Sequence, residues 1–144
     1  MSSKLFTTEE QEAVKLAIQA AEFHTSGEIR VFVEAKCKEK EVLDRAVQQF
    51  HHLKMHETDQ RNGVLIYLAF EDKKFAIIGD KGINEKVTDD FWDSTKDIML
   101  SYFMKNEMAE GLAQGIAKVG EQLKTYFPYD KNDKNELPDE IAFS

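Results

Sequence analysis

At 144 residues the chain is one domain's worth of polypeptide, long enough to bury a core of its own. Hydrophobic residues make up 42% of it and charged residues 32%, a globular balance that excludes the disordered class. The formal charge of -8 opposes phosphate backbones and anionic membrane surfaces and draws in cations, which argues against nucleic acid as a partner.

The N-terminus, MSSKLFTTEEQEAVKL, lacks the basic and then apolar run of a signal peptide, and no apolar stretch approaches the length of a membrane span. A cytoplasmic protein without a membrane span is expected. The single cysteine, Cys37, leaves no internal disulfide to form and suits a reducing compartment. Neither a partner protein nor an oligomeric state can be read from composition; a monomer is compatible with it.

Thr7 and Thr8 stand three residues before Glu10 and Gln11, the pattern of a capping box, so a helix starts there. Its apolar stripe is Ala13, Val14, Ala17, Ile18 and Ala21, and Thr25-Ser26-Gly27 ends it. From Glu28 to Ala35 the period changes to two, which marks a first strand. After a charged connection, Val42, Leu43, Ala46, Val47, Phe50 and Leu53 recur at helical spacing, and this second helix runs to about His56. A polar loop from Glu57 to Gly63 follows. Val64 to Phe70 is then an unbroken apolar run, Phe75 to Ile78 is a second, and Glu71, Asp72, Lys73 and Lys74 separate them as the turn of a hairpin. A continuous run of that kind suits a strand covered on both faces, so helices should lie on either side.

Beyond Gly79-Asp80-Lys81-Gly82 a third helix is expected to begin at Thr88, with Asp89 and Asp90 in its first turn and Phe91, Trp92, Thr95, Met99, Tyr102 and Phe103 on its apolar face. A fourth carries Met108, Leu112, Ile116, Val119 and Leu123. The fold class is therefore α/β, a three-layer α/β/α sandwich around a short mixed sheet with about four helices. Residues 1–126 form the single domain, and 127–144 a polar, loosely held tail.

This order of elements has a geometric consequence. The first two strands are joined through a helix and run parallel, while the hairpin makes the third antiparallel. The starts of the first two strands and the end of the third therefore share one edge of the sheet. That edge gathers Ser26-Gly27-Glu28, Asp59 to Asn62, and Gly79 to Gly82, with Thr88, Asp89 and Asp90 leaving from the same region. The residues collected are oxygen donors: Glu28, Asp59, Asp80, Asp89 and Asp90, with the amide of Asn62. Ca²⁺ and Mg²⁺ take such ligands, whereas Zn²⁺ prefers histidine and cysteine. A divalent cation site around Glu28 and Asp80 is one reading. In the other, Asp89 and Asp90 stabilise a helix start and Arg61 pairs with Glu28 or Asp80.

Other constellations carry less. His52 and His56 have the i, i+4 spacing of a zinc pair without the supporting ligands, and Cys37 lacks the arginine of a cysteine-phosphatase loop. Asp130-Lys-Asn132-Asp133 starts like an EF-hand loop, but Asn135 replaces the glycine at its sixth position. Neither G-x-S-x-G nor a P-loop is present.

The series TSGEIRV at Thr25 to Val31, RNGVLIYL at Arg61 to Leu68, the EDKK turn, IIGDKG at Ile77 to Gly82 and VTDDFW at Val87 to Trp92 resembles the TPM domain family. That family includes thylakoid-lumen proteins linked to photosystem II repair, nematode receptor-associated proteins and many bacterial proteins, and this chain is similar to the small stand-alone bacterial type. The resemblance implies an α/β/α sandwich and a Ca²⁺ or Mg²⁺ site on the loop edge, carried first by Glu28, Asp80 and Asp90 and then by Asp59 and Asp89. A weak acid phosphatase activity is attached to the family's plant members, and the rim residues themselves leave two functions to weigh. One is a non-catalytic, cation-binding interaction or accessory domain with a protein partner. The other is a metal-assisted acid phosphatase acting on phosphomonoesters, with Arg61 or Lys81 holding the phosphate and Asp90 as base. Where exported members have a glycine, aromatic, glycine turn after the third strand, this chain has Gly79-Asp80-Lys81-Gly82.

Overall fold

A computed structural model describes residues 6–130 and 137–144. The elements run in the order α1 (Thr8–Glu22), β1 (Glu28–Glu34), α2 (Val42–His52), a 3-10 turn (Met55–Glu57), β2 (Gly63–Ala69), β3 (Lys74–Gly79), α3 (Lys81–Asn84), α4 (Asp93–Phe103), α5 (Met108–Leu123) and β4 (Ala142–Phe143). The sheet order is β3-β2-β1-β4. β1 runs parallel to β2 and to β4, and β2 runs antiparallel to β3.

Alternation along the strands builds two cores. Ile29, Val31 and Val33 of β1 and Val64, Ile66 and Leu68 of β2 pack with Val14 and Ile18 of α1, Met99 of α4 and Ile116 of α5. Phe32, Leu65, Tyr67 and Ala76 point the other way, onto Ala46 and Phe50 of α2 and Met55. Every residue of β2 is buried, which is why its sequence is an uninterrupted apolar run with no polar face. The result is the three-layer sandwich with helices on both faces of a mixed sheet.

α1 begins as its capping residues require. The Thr7 hydroxyl accepts from the Glu10 amide at 3.0 Å, and the Glu10 carboxylate accepts from the Thr7 amide at 2.9 Å. Thr7→Ala removes that hydroxyl and is expected to cost about 1 kcal/mol, measured as a shift of the urea midpoint at unchanged slope.

Three local features differ from the sequence expectation. α4 starts at Asp93 instead of Thr88, because the preceding residues form turns: the Phe91 amide donates to the Thr88 carbonyl at 3.1 Å and the Asp93 amide to the Asp90 carbonyl at 3.0 Å. Gln122 of α5 donates to the Phe91 carbonyl at 2.7 Å and holds this segment in place. Asp80 is followed at once by the four-residue helix α3, whose N-cap it is. Beyond Leu123, Phe127 is buried in the core, and Ala142–Phe143 joins the sheet as β4. Residues 131–136, which include Asn132, Asp133 and Asn135 of the EF-hand-like string, lie outside the described residues.

Candidate functional site

The three loops do converge on one rim. Glu28 stands opposite Gly63 in the parallel ladder, and Val64 opposite Gly79 in the antiparallel one, so the first residues of β1 and β2 and the last of β3 are neighbours. Protein groups tie the loops directly. The Glu28 amide donates to the Asn62 carbonyl at 3.3 Å, the buried Asn62 side chain donates to the Ser26 carbonyl at 3.3 Å, and the Asp80 amide donates to the Gly63 carbonyl at 2.9 Å. The Gly82 amide donates to the Arg61 carbonyl at 2.8 Å. A β-carbon on Gly82 would lie 2.2 Å from the Gln60 carbonyl oxygen, so only glycine permits this approach.

Asp80 is the acid the rim encloses, at 6% exposure. Its Oδ2 accepts from Arg61 Nε at 2.8 Å, and its Oδ1 accepts from Arg61 Nη2 at 2.9 Å and from the Lys81 amide at 2.7 Å. This is the two-pronged guanidinium–carboxylate pairing that gives charge-assisted hydrogen bonds their geometric definition. Arg61 holds it from a left-handed backbone, φ 52°, with its side chain 43% exposed. The Lys81 ammonium is further out, 3.9 Å from Glu85 on the solvent side.

The other candidates land elsewhere. Glu28 is 2% exposed and lines a separate cleft with Gln19, Glu22, Phe23, Tyr129 and Asp139, whereas Asp80 shares its cleft with Arg61, Lys81, His51 and Phe50. Asp59 is exposed on the loop that carries Arg61. Asp89 and Asp90 are exposed on the turns before α4, where the Thr88 hydroxyl donates to Asp90 Oδ1. Asp80, Arg61 and Lys81 thus come together, while Glu28, Asp89 and Asp90 do not join them. Among the described residues no three histidine, cysteine, aspartate or glutamate side chains are grouped to hold a metal ion. As placed, the five acids are not a preformed cage, and Asp80 already has a cation of its own.

Two further groups of ionisable side chains escaped the sequence reading. Glu22, at the end of α1, accepts from the Ile29 amide at 3.2 Å. Burial, then a hydrogen bond with Asp139, then the negative charges of Asp139 and Glu28 push its pKa up to about 10, against the opposing pull of the Ile29 amide. Nothing in the local sequence pairs a helix-end glutamate with an acid more than a hundred residues on. Glu34, at the far end of β1, accepts from Arg45 of α2 at 2.7 Å and 2.9 Å and from the Tyr67 hydroxyl. Burial raises its pKa, but the bonds from Arg45 and Tyr67 outweigh it and hold the carboxyl below its ordinary value. Here a signal existed: a charged residue inside a strand covered on both faces needs a partner.

A short mixed sheet between helical layers, with its loops knitted at one rim around an arginine–carboxylate pair, defines a small α/β/α domain. The family model of the TPM domain matches residues 2–122, most of the chain, and the chain belongs to that family. No curated protein matches it. Among solved structures it is similar to the BA42 protein of the psychrophilic bacterium Bizionia argentinensis, at 50% identity over 96% of this chain and 95% of that one, with a TM-score of 0.90. It shares the fold of the N-terminal domain of the cg2496 protein of Corynebacterium glutamicum, at 14% identity, TM-score 0.66, over 87% of this chain and 78% of that one. The same holds for the N-terminal domain of a P. gingivalis protein, at 17% identity, TM-score 0.69, over 85% and 79%. Among the described residues no helix is long and apolar enough to cross a membrane.

Proposed function

We propose that this chain is a non-catalytic accessory domain whose loop rim takes a Ca²⁺ or Mg²⁺ ion at Asp80, in exchange for the Arg61 guanidinium, and presents the altered rim to a protein partner. One observation carries this reading: Asp80 is an almost buried carboxylate neutralised by a side chain that is nearly half exposed. Arg61 can swing outward without disturbing the core, which frees Asp80 Oδ2 for a hard cation and leaves Oδ1 with the Lys81 amide. The overall charge of -8 favours the exchange by raising the local cation concentration, and the exposed Asp59 adds to it from the neighbouring loop. Glu28 takes no part, since it lines the other cleft.

The phosphatase reading is less well supported. It needs Arg61 or Lys81 to hold the phosphate, whereas Arg61 is engaged twice by Asp80 and Lys81 stands outward beside Glu85, and it needs Asp90 beside the phosphate, whereas Asp90 is on an exposed turn bonded to Thr88. An Asp80 carboxylate in the same cleft also opposes a phosphate anion.

Calorimetric titration with Ca²⁺ and with Mg²⁺ tests the exchange. Asp80→Asn is expected to abolish the binding heat, and Arg61→Gln, which removes the competing cation, to tighten binding severalfold. Wild-type heats in Asp80→Asn would sink the reading. Turnover of a phosphomonoester that disappears in both Asp80→Asn and Asp90→Asn would favour the enzyme instead.

A further inference from the structure

The C-terminal segment is attached to the sheet by few bonds. β4 has two residues, opposite Phe32 and Val33 of β1, and the Ser144 amide donates to the Val33 carbonyl at 3.0 Å. Ile141 and Phe143 lie half-buried against the larger core, the Phe143 ring centroid 6.4 Å from that of Phe6. A strand this short is at the low end of local stability, so it can open without the rest of the fold.

Just before β4, the buried Asp139 lines the same cleft as Glu22 and Glu28, close enough to Glu22 for a hydrogen bond between the two carboxyl groups. Two carboxyl groups can hydrogen-bond to each other only when one of them carries a proton. Glu22 simultaneously accepts from the Ile29 amide, on the length of β1 that precedes the β4 pairing. The same carboxyl therefore binds both the root of β1 and the strap beside it.

We propose that residues 137–144 are a proton-held strap: a proton shared by Glu22 and Asp139 keeps β4 on the edge of β1, and its loss releases the segment.

The surrounding charges fit that role. From β1, Glu28 adds a third negative group to the same cleft, so removing the proton leaves three acids facing one another. From α1, Gln19 is neutral, while Lys15 lies 3.4 Å from Glu140 of the strap. Arg30 of β1 also attracts Glu140. Those cations attract Glu140 and not the Glu22–Asp139 pair. Tyr129 lines the cleft from the chain beyond α5 and meets Phe23 at a tilt, with ring centroids 5.9 Å apart.

The sign follows from proton counting. Glu22 has a raised value of about 10 when the strap is docked, by burial first and then by Asp139, and release removes the contribution of Asp139 and exposes the carboxyl, which lowers that value toward 4.5. Between those values the docked state holds one more proton, so docking is strongest at the acid end and weakens as pH rises, by up to about tenfold per unit.

NMR hydrogen exchange of the full chain, corrected for the intrinsic pH dependence of exchange, tests this between pH 6 and 9. In wild type the protection of the Ser144 amide, which donates to the Val33 carbonyl, is expected to fall about tenfold per pH unit, while the β2 amides keep theirs. Glu22→Gln supplies an amide that accepts from Ile29 and donates to Asp139 without titrating, and its strap protection is expected to be flat with pH. Asp139→Asn, which donates to Glu22 from the other side and removes the neighbouring acid, should show a shallower slope than wild type and serves if Glu22→Gln does not fold. Equal slopes in wild type and either variant, or no slope in wild type, would overturn the proposal.

Discussion

Arg45→Ala is expected to remove about 3–5 kcal/mol of stability, the cost of leaving a buried charge without its partner. Glu34 is 2% exposed and Arg45 11%, and the guanidinium meets both carboxylate oxygens, at 2.7 Å and 2.9 Å. The Tyr67 hydroxyl supplies the remaining bond from the fully buried face of β2. Without Arg45 the carboxylate keeps the hydrogen bond from Tyr67 and only the weaker attraction of Lys38. It must take up a proton or draw water into the smaller core, and α2 loses its anchor to β1.

The pH dependence identifies the cause. Glu34 has a lowered value in the folded protein, so the stability it contributes is fully present above the ordinary glutamate range and is lost as pH falls through the lowered value. Wild type should therefore weaken on acidification while Arg45→Ala, whose Glu34 is already more easily protonated, weakens less. The gap between them narrows at low pH. Urea denaturation at neutral pH and at pH 4 measures it, and at neutral pH the melting temperature should fall by roughly 10 °C. A loss below about 1 kcal/mol would place the pair with ordinary surface ion pairs and defeat the argument. The double change Glu34→Leu with Arg45→Met should recover most of the loss, because it removes both charges and keeps the volume.

Gly82→Ala is expected to cost about 3 kcal/mol, at the upper end for an overpacked site. Glycine is required here for space and not for its dihedral freedom, since no glycine of the chain has a positive φ. The added carbon would meet the Gln60 carbonyl oxygen at 2.2 Å and the Arg61 carbonyl oxygen at 2.7 Å. Both are backbone atoms and cannot rotate away. The 59–62 loop has to retreat, which breaks the bond between the Gly82 amide and the Arg61 carbonyl and moves Arg61 off Asp80. Loss of stability should therefore come with chemical-shift changes in Arg61 and Asp80 and with altered cation heats. Gly79→Ala is the control: its added carbon would meet only side-chain atoms of Ile83, the nearest at 3.2 Å. If both variants are equally stable, the loops are not locked together at Gly82.

Much of this was legible in the sequence, and the reasons differ by element. The run from Val64 to Phe70 could only be a strand buried on both faces, and the helix between β1 and β2 made them parallel. From those two facts the meeting of the Ser26, Asn62 and Asp80 loops follows as geometry, and the ladders place it there. α3 and β4 were not legible, since four and two residues are too few to show a period, and both form only against an existing rim or edge. The start of α4 was displaced for a similar reason: Asp89 and Asp90 look like helix-opening residues, but Gln122 of α5 holds the chain in turns through Phe91.

The candidate site divides along the same line. Hydrophobic period and loop position, which the sequence carries, decide which acids reach the rim. Which acid is paired is decided by distances of a few ångströms that the sequence does not carry. Arg61 could have met Glu28 or Asp80, and only packing gave it to Asp80. Glu22 and Asp139 are strangers in sequence and line one cleft because the end of α1 and the C-terminal segment are folded together. Periodicity is a property of neighbours along the chain, so the sequence determined layers, strand directions and the crowded rim. Electrostatic pairing depends on separation in space and on the exclusion of water, and only the tertiary structure could decide it.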